Sequence, residues 1–103
     1  MAHQVYTEEY LEHQNRIASL AKALAHPARI AIIELLYKNG GCYCGDIVAE
    51  LPLSQSSVSQ HLRALQEVGL IQATLEIPKV KYCVDKENWA QAKNFFCHFF
   101  ENN

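Results

Sequence analysis

The sequence predicts a mainly α-helical domain that carries one small β-hairpin. Apolar residues recur at helical spacing over most of the chain, whereas they alternate with polar residues only between positions 71 and 84. The chain has 103 residues, half of them hydrophobic, which is enough for one modest core. We therefore expect a single domain over residues 1–103.

Composition excludes several classes of protein. No stretch approaches the ~20 apolar residues of a membrane span, and the N-terminus lacks the basic start and apolar run of a secretory signal. We therefore expect a cytoplasmic protein with no membrane partner, whose four cysteines are reduced thiols. Little favours an enzyme, because neither a Gly-rich phosphate loop nor a Ser-His-Asp arrangement is evident.

The N-terminal part of the chain predicts two helices and a short strand. The first helix covers about residues 7–25, with Thr7 as its cap. Its apolar stripe consists of Tyr10, Ile17, Leu20, Ala21 and Leu24. Pro27 suits the first position of the second helix, and Gly40-Gly41 ends it. The inward side chains of this second helix are Ile30, Ile33, Leu36 and Tyr37. Residues 42–45 are enough for a short strand that pairs with the later hairpin.

Residues 46–69 predict a helix-turn-helix. The first of its helices ends at Pro52, because the residue before a proline disfavours helical dihedral angles. Ser54 is a favourable N-cap for the second helix, and Gly69 ends that helix. One stripe of the second helix is apolar and is expected to be buried: Val58, Leu62 and Leu65.

The opposite side of this second helix favours DNA binding. A solvated helix typically mixes Glu and Lys, yet no acid occurs between Glu50 and Glu67. Small hydroxyls, amides and a guanidinium suit base edges and phosphate oxygens. The candidate contacts are Ser56, Ser57, Ser59, Gln60, His61 and Arg63. A solvated helix with a serine-rich face is the alternative, and the net charge of −2 means that any basic footprint must be local.

Residues 71–84 predict a β-hairpin. It directly follows the second helix of the helix-turn-helix, the candidate recognition helix, and would therefore form a wing. Its inward positions are Ile71, Ala73, Leu75, Val80, Tyr82 and Val84. Lys79 and Lys81 give the tip and rim positive charge, so both are candidates for phosphate or minor-groove contact. A solvated edge that discourages strand addition explains the two lysines equally well.

The last element, residues 86–101, predicts a helix whose apolar arc is too wide for one contact surface. Its aromatic residues are Trp89, Phe95, Phe96, Phe99 and Phe100. Together with the long N-terminal stripe, this arc predicts a homodimer through the terminal helices, 7–25 and 86–101. Such a dimer would present two DNA-reading helices to a two-fold site.

The order of elements and three motifs resemble the ArsR/SmtB family of bacterial metal- and metalloid-responsive repressors. The motifs are LAHPARI at residues 24–30, CYCGDIVAEL at 42–51, and SQSSVSQHLRALQEVGLI at 54–71 followed by a wing ending VKYCVD. The resemblance covers nearly the whole chain. It implies a winged helix-turn-helix homodimer that binds double-stranded operator DNA and releases it on capturing an inducer.

The cysteines predict the chemistry of that inducer. If Tyr43 faces the core from a strand, Cys42 and Cys44 face outward, and Cys83 lies on the same outer face beside Lys81. Three thiolates suit a pyramidal metalloid, arsenite or antimonite, better than tetrahedral zinc. No cofactor is expected to be required for folding. Zinc or cadmium as inducer, or a reversible disulfide, are the alternatives.

Two details depart from the family pattern. In the family's thiol sites the cysteines directly precede the Asp that opens the next helix, whereas here Gly45 separates Cys44 from Asp46. A second family site pairs Asp-x-His with His-x-x-Glu on the terminal helices. The residues at comparable spacing here are Asp85, Glu87, His98 and Glu101, which lack the first histidine. A metal site on these four residues is a second alternative.

A protein-interaction module that uses this fold without binding DNA is a further hypothesis.

Overall fold

The structure is a computed structural model that describes residues 8–103, with side chains from Glu12 onward. Its elements are α1 (Glu8–Leu24), α2 (Pro27–Asn39), β1 (Cys42–Tyr43), α3 (Cys44–Glu50), α4 (Gln55–Glu67), β2 (Ile71–Glu76), β3 (Lys79–Val84) and α5 (Lys86–Glu101). The mainly helical prediction with one hairpin is therefore confirmed. The predicted cap Thr7 and the side chain of Tyr10 lie outside the described residues.

The core is built around the apolar stripe of α4. Val58, Leu62 and Leu65 are each at most 1% exposed, as the sequence predicts. Side chains from α1, α2, α3, the residue before β2 and the first residue of β2 surround this stripe: Leu20, Ile32, Leu36, Ile47, Leu70 and Ile71. The helix-turn-helix is thus held by packing on its inner side, which leaves the opposite side of α4 in solvent.

The predicted inner faces of α1 and α2 are partly wrong. Ile30 is 41% exposed and Tyr37 is 49% exposed, whereas Ile32 is fully buried. The inner face of α2 is therefore rotated from the predicted stripe, because the helix contacts α1, α4 and β3 together. In α1, Ala23 takes the buried place predicted for Ala21, which is exposed.

The sheet has the antiparallel order β1-β3-β2. The predicted pairing of the short strand with the hairpin is confirmed, since Cys42 lies opposite Tyr82 and Tyr43 opposite Lys81. Burial is confined to the base of the hairpin, where Ile71 and Val84 are at most 7% exposed. Ala73 and Leu75 were predicted to face inward and are exposed instead, because the distal hairpin extends beyond the core.

The first helix of the helix-turn-helix begins at Cys44, two residues before the predicted start at Asp46. The Asp46 carboxylate accepts a hydrogen bond from the Tyr43 backbone N–H at 3.1 Å, which makes Tyr43 the N-cap position. This cap shortens β1 to two residues. Cys44 consequently lies in a helix and not in the predicted strand.

Two helix ends carry the residues that the sequence predicts there, Ser54 at the start of α4 and Gly40 at the end of α2. Ser54 Oγ accepts from the Ser57 N–H at 3.2 Å, and Gly40 ends α2 with a φ of 68°. The Asn88 side-chain amide donates to the Gly69 carbonyl at 3.0 Å. This last bond joins the end of α4 to the start of α5.

Gly41 and Gly45 offer a matched test of this arrangement. An alanine Cβ at Gly41 would lie 2.7 Å from Cys83 Sγ and from Lys81 Cε, at a φ of 123°. We expect Gly41→Ala to lower the free energy of unfolding by about 1–3 kcal/mol. Gly45 lies in α3 with no atom within 4 Å of an added Cβ, so Gly45→Ala should raise it by about 0.4–1 kcal/mol. Urea unfolding measures both, and effects of equal sign would contradict the geometry.

Candidate functional site

The exposed side of α4 carries a polar face with no carboxylate. Its members line a shallow surface groove: Gln55, Ser56, Ser59, Gln60 and Arg63. The single acid of α4 is its last residue, Glu67. A rigid helix with hydroxyl, amide and guanidinium groups on its open side suits the edges of bases and phosphate oxygens. Four of the six candidate contacts on this helix are therefore exposed on the same side: Ser56, Ser59, Gln60 and Arg63.

The other two candidates on α4, Ser57 and His61, are engaged within the protein. The Ser57 hydroxyl accepts from Ser54 Oγ at 3.1 Å and belongs to the cap of α4. His61 Nδ1 accepts from Arg29 Nε at 3.1 Å, and the His61 ring lies against the His26 ring with centroids 4.4 Å apart. These contacts turn both side chains toward their own domain.

The cluster of His26, Arg29 and His61 joins α4 to the junction between α1 and α2. Arg29 also donates to the Ala23 carbonyl at 3.3 Å, so its guanidinium bridges two elements. Partial burial lowers the pKa of His61, and the positive charges of His26 and Arg29 lower it further. A neutral His61 keeps the lone pair that accepts from Arg29, and this link helps to orient α4.

The wing carries a second polar cluster, formed by Tyr43, Glu76 and Lys79. The Tyr43 hydroxyl donates to Glu76 Oε1, and Lys79 Nζ lies 4.9 Å from the centroid of the Tyr43 ring. The hydrogen bond to Glu76 is the main cause of a raised Tyr43 pKa. A tyrosine hydroxyl is protonated at neutral pH in any case, so it is the donor in this bond. Lys79 is exposed, whereas Lys81 is half-buried and its Cε packs over Gly41.

The strand register separates two of the predicted thiol ligands. Cys42 lies opposite Tyr82 on the core face of the sheet, and it is only 2% exposed. Cys83 follows Tyr82 and consequently points to the other face. The prediction that Cys42 and Cys83 share an outer face is wrong, because Tyr43 and not Cys42 takes the outward position. The outward direction predicted for Cys83 beside Lys81 is confirmed.

The remaining thiols lie in separate surroundings. Cys44 is half-buried at the start of α3, Cys83 is half-buried with its Sγ 3.9 Å from the Gly40 carbonyl, and Cys97 is exposed on α5. In the part of the chain that the structure describes, no group of three or more His, Cys, Asp or Glu side chains is placed to hold a metal ion. One protomer therefore does not assemble the predicted three-thiol site.

The alternative metal site on the terminal helix is also not assembled within one protomer. The Asp85 carboxylate accepts from the Asn88 N–H at 3.1 Å and from its side-chain amide at 3.2 Å, which makes Asp85 the cap of α5. Glu87 lies in the first turn, whereas His98 and Glu101 lie in the last two turns of the same helix. His98 comes thirteen positions after Asp85, which separates the two by about 20 Å along the helix axis.

The helices within residues 8–103 include none with the length and apolar character needed to cross a membrane.

Comparison with known proteins gives a consistent result. The family model of bacterial regulatory proteins of the arsR family matches residues 26–73, which run from the cap of α2 into the wing. The HTH-type transcriptional regulator CmtR of Mycobacterium tuberculosis is 39% identical over 79 residues. The aligned segment covers 77% of this chain and 66% of CmtR, slightly less than two thirds of that relative.

Two solved structures share the fold. A possible transcriptional regulator for arsenical resistance superposes with a TM-score of 0.70 and 32% identity, over 77% of this chain and 81% of the other. The homodimeric winged helix-turn-helix domain of Mb0332 from Mycobacterium bovis superposes with a TM-score of 0.75 and 22% identity. That match covers 95% of this chain and 90% of the solved fragment, residues 1–100 of Mb0332, and it shows that the winged helix-turn-helix fold is common to both.

The lowered pKa of His61 predicts a pH-dependent stability. Because the unfolded chain binds the proton more readily, stability is full above about pH 6.5 and is lost as the pH falls from there toward the folded-state pKa. We expect His61→Gln, whose amide oxygen can still accept from Arg29, to lose less stability than the wild type between pH 7.5 and pH 5.5. Urea unfolding at the two pH values measures this, and equal losses in both proteins would contradict it.

Proposed function

The chain belongs to the arsR family of bacterial regulatory proteins, and we propose that within this family it is a transcriptional repressor whose α4 enters the major groove of operator DNA. The observation that carries the proposal is the exposed side of α4. It offers hydroxyl, amide and guanidinium groups and no carboxylate, on a helix fixed by three buried side chains. An acid on this face would repel the phosphates that flank the groove.

The side chains divide into two roles in this proposal. Gln60 and Arg63 have the length and donor geometry to read base edges, because an amide pairs with adenine and a guanidinium with guanine. Ser56 and Ser59, near the start of the helix, suit phosphate oxygens, as does Lys79 on the wing. Ser57 and His61 support the α4 surface through hydrogen bonds within the protein, and Lys81 packs over Gly41. A protein of net charge −2 then binds DNA through one local surface.

We propose that the protein acts as a homodimer through α1 and α5. Phe99 is 43% exposed and Phe100 is 70% exposed at the end of α5, which is costly for rings that could be buried. Phe100 continues an apolar groove that also includes Leu24, Trp89 and Phe96. The Mb0332 domain, which shares the fold, is homodimeric, and this supports a dimer here. Two copies of α4 would then meet an inverted repeat with half-sites about 10 base pairs, or a multiple of that, apart.

We propose further that a thiophilic inducer, most simply arsenite or antimonite, weakens operator binding. The chain's similarity to a possible regulator for arsenical resistance supports arsenite, and zinc, cadmium or thiol oxidation are the alternatives. The buried Cys42 does not suit a ligand role, so the response rests on the partly accessible thiols of Cys44 and Cys83. Cys44 opens α3 and Cys83 lies in the wing strand, which places both next to the proposed DNA-contacting elements.

The DNA proposal is tested with a duplex that the wild-type protein selects from a random-sequence pool. We expect the selected duplexes to contain an inverted repeat. Arg63→Ala should cost on the order of 1–3 kcal/mol of binding free energy in an electrophoretic mobility shift if Arg63 contacts a guanine edge. Lys38→Ala removes an exposed cation from α2 and should leave binding unchanged. Unchanged binding by the double variant Arg63→Ala, Gln60→Ala would contradict the docking of α4.

The inducer proposal is tested by arsenite release of the same duplex. We expect Cys44→Ser and Cys83→Ser to need more arsenite than the wild type for half-release, and the release to weaken at low pH because protons compete for thiolates. Cys97→Ser, which changes an exposed thiol on α5, is the matched control and should respond as the wild type does. If all of these variants respond equally, arsenite does not act through these thiols.

A further inference from the structure

Tyr43 connects the helix-turn-helix to the distal end of the wing. Its backbone N–H is held by Asp46 at the start of α3, at 3.1 Å. Its side chain reaches along the outer face of the sheet to Glu76, 33 positions away in the sequence and at the end of β2. One residue thus contacts both the first turn of α3 and the tip of the hairpin.

Glu76 poses an electrostatic problem for a wing that approaches DNA. It is an exposed carboxylate at the position opposite Lys79, in the hairpin segment that extends beyond the core. A free carboxylate there would repel phosphates and would also compete with them for the Lys79 ammonium group. The Tyr43 hydroxyl donates a hydrogen bond to Glu76 Oε1. Lys79 Nζ lies over the Tyr43 ring, 4.9 Å from the ring centroid.

The geometry points to Tyr43 as a positioning residue for DNA binding, which turns the Glu76 carboxylate away from DNA and holds Lys79 at the wing surface. This inference rests on the proposed function, since it assigns a task to a residue outside the α4 surface. The ring and the hydroxyl have separate parts in it. The hydroxyl restrains Glu76, and the ring restrains Lys79 through a cation–π contact.

The two parts can be separated by substitution. Tyr43→Phe keeps the ring over Lys79 and removes only the donor to Glu76. We expect it to weaken binding of the selected duplex roughly 2- to 12-fold, because the bound wing loses at most the free energy of the one net hydrogen bond that restrains Glu76. Glu76→Gln removes the charge that Tyr43 restrains, so the double variant Tyr43→Phe, Glu76→Gln should bind within about 2-fold of Glu76→Gln alone. A purely structural role for the hydroxyl would not be rescued in this way.

The experiment measures duplex affinity by mobility shift for these variants, with Tyr37→Phe as a control that removes a hydroxyl from an exposed tyrosine on α2. Arg63→Ala is included in the same series to separate two kinds of failure. If Arg63→Ala weakens binding and Tyr43→Phe does not, the role of Tyr43 is overturned and the docking of α4 stands. If Tyr43→Phe weakens binding without rescue by Glu76→Gln, the electrostatic role is overturned. If neither Arg63→Ala nor the double variant Arg63→Ala, Gln60→Ala weakens binding, the docking of α4 fails, and this inference fails with it.

Discussion

The burial of one stripe of α4 is the constraint on which the rest of the structure depends. Val58, Leu62 and Leu65 repeat at the spacing of a helical turn, and each is almost completely removed from solvent. A helix that buries one side exposes the opposite side to solvent. Packing of the core therefore makes Ser56, Gln60 and Arg63 face outward. Loss of a methyl group from this stripe is therefore expected to affect the proposed DNA-contacting surface as well as the stability.

Polar links add to this hydrophobic anchoring at both flanks of α4. The cluster of His26, Arg29 and His61 ties α4 to the junction of α1 and α2, whereas the Asn88 amide ties its end to α5 through Gly69. Arg16 adds a longer bond to the Val68 carbonyl, at 3.4 Å. The orientation of the exposed face is thus set by a link at the middle of α4, through His61, and by links just after its last residue, through Val68 and Gly69.

The sequence predicts the elements well because the signals for them are local. Ser54, Pro27 and Gly40 cap or end helices through contacts within a few residues, and the period-two pattern identifies the hairpin. The face of the sheet on which Cys42 lies could not be predicted in this way. A strand of two residues is too short to show a period-two pattern, and a shift of one position moves a side chain to the opposite face. The sequence also has no local signal for the bond between Tyr43 and Glu76 or for that between Arg29 and His61, which join residues 33 and 32 positions apart. For this reason the α4 face is predictable and the thiol geometry is not.

The edge-on contact between Tyr37 and Trp89 has a consequence for experiment. Trp89 is the single tryptophan of the chain, and its ring lies 6.0 Å from the Tyr37 ring, where α2 meets α5. It also borders the apolar groove that ends at Phe100. The intrinsic fluorescence of this indole therefore arises from one place in the molecule, remote in sequence from the α4 face. Its emission wavelength reports solvent access at that groove without any attached dye.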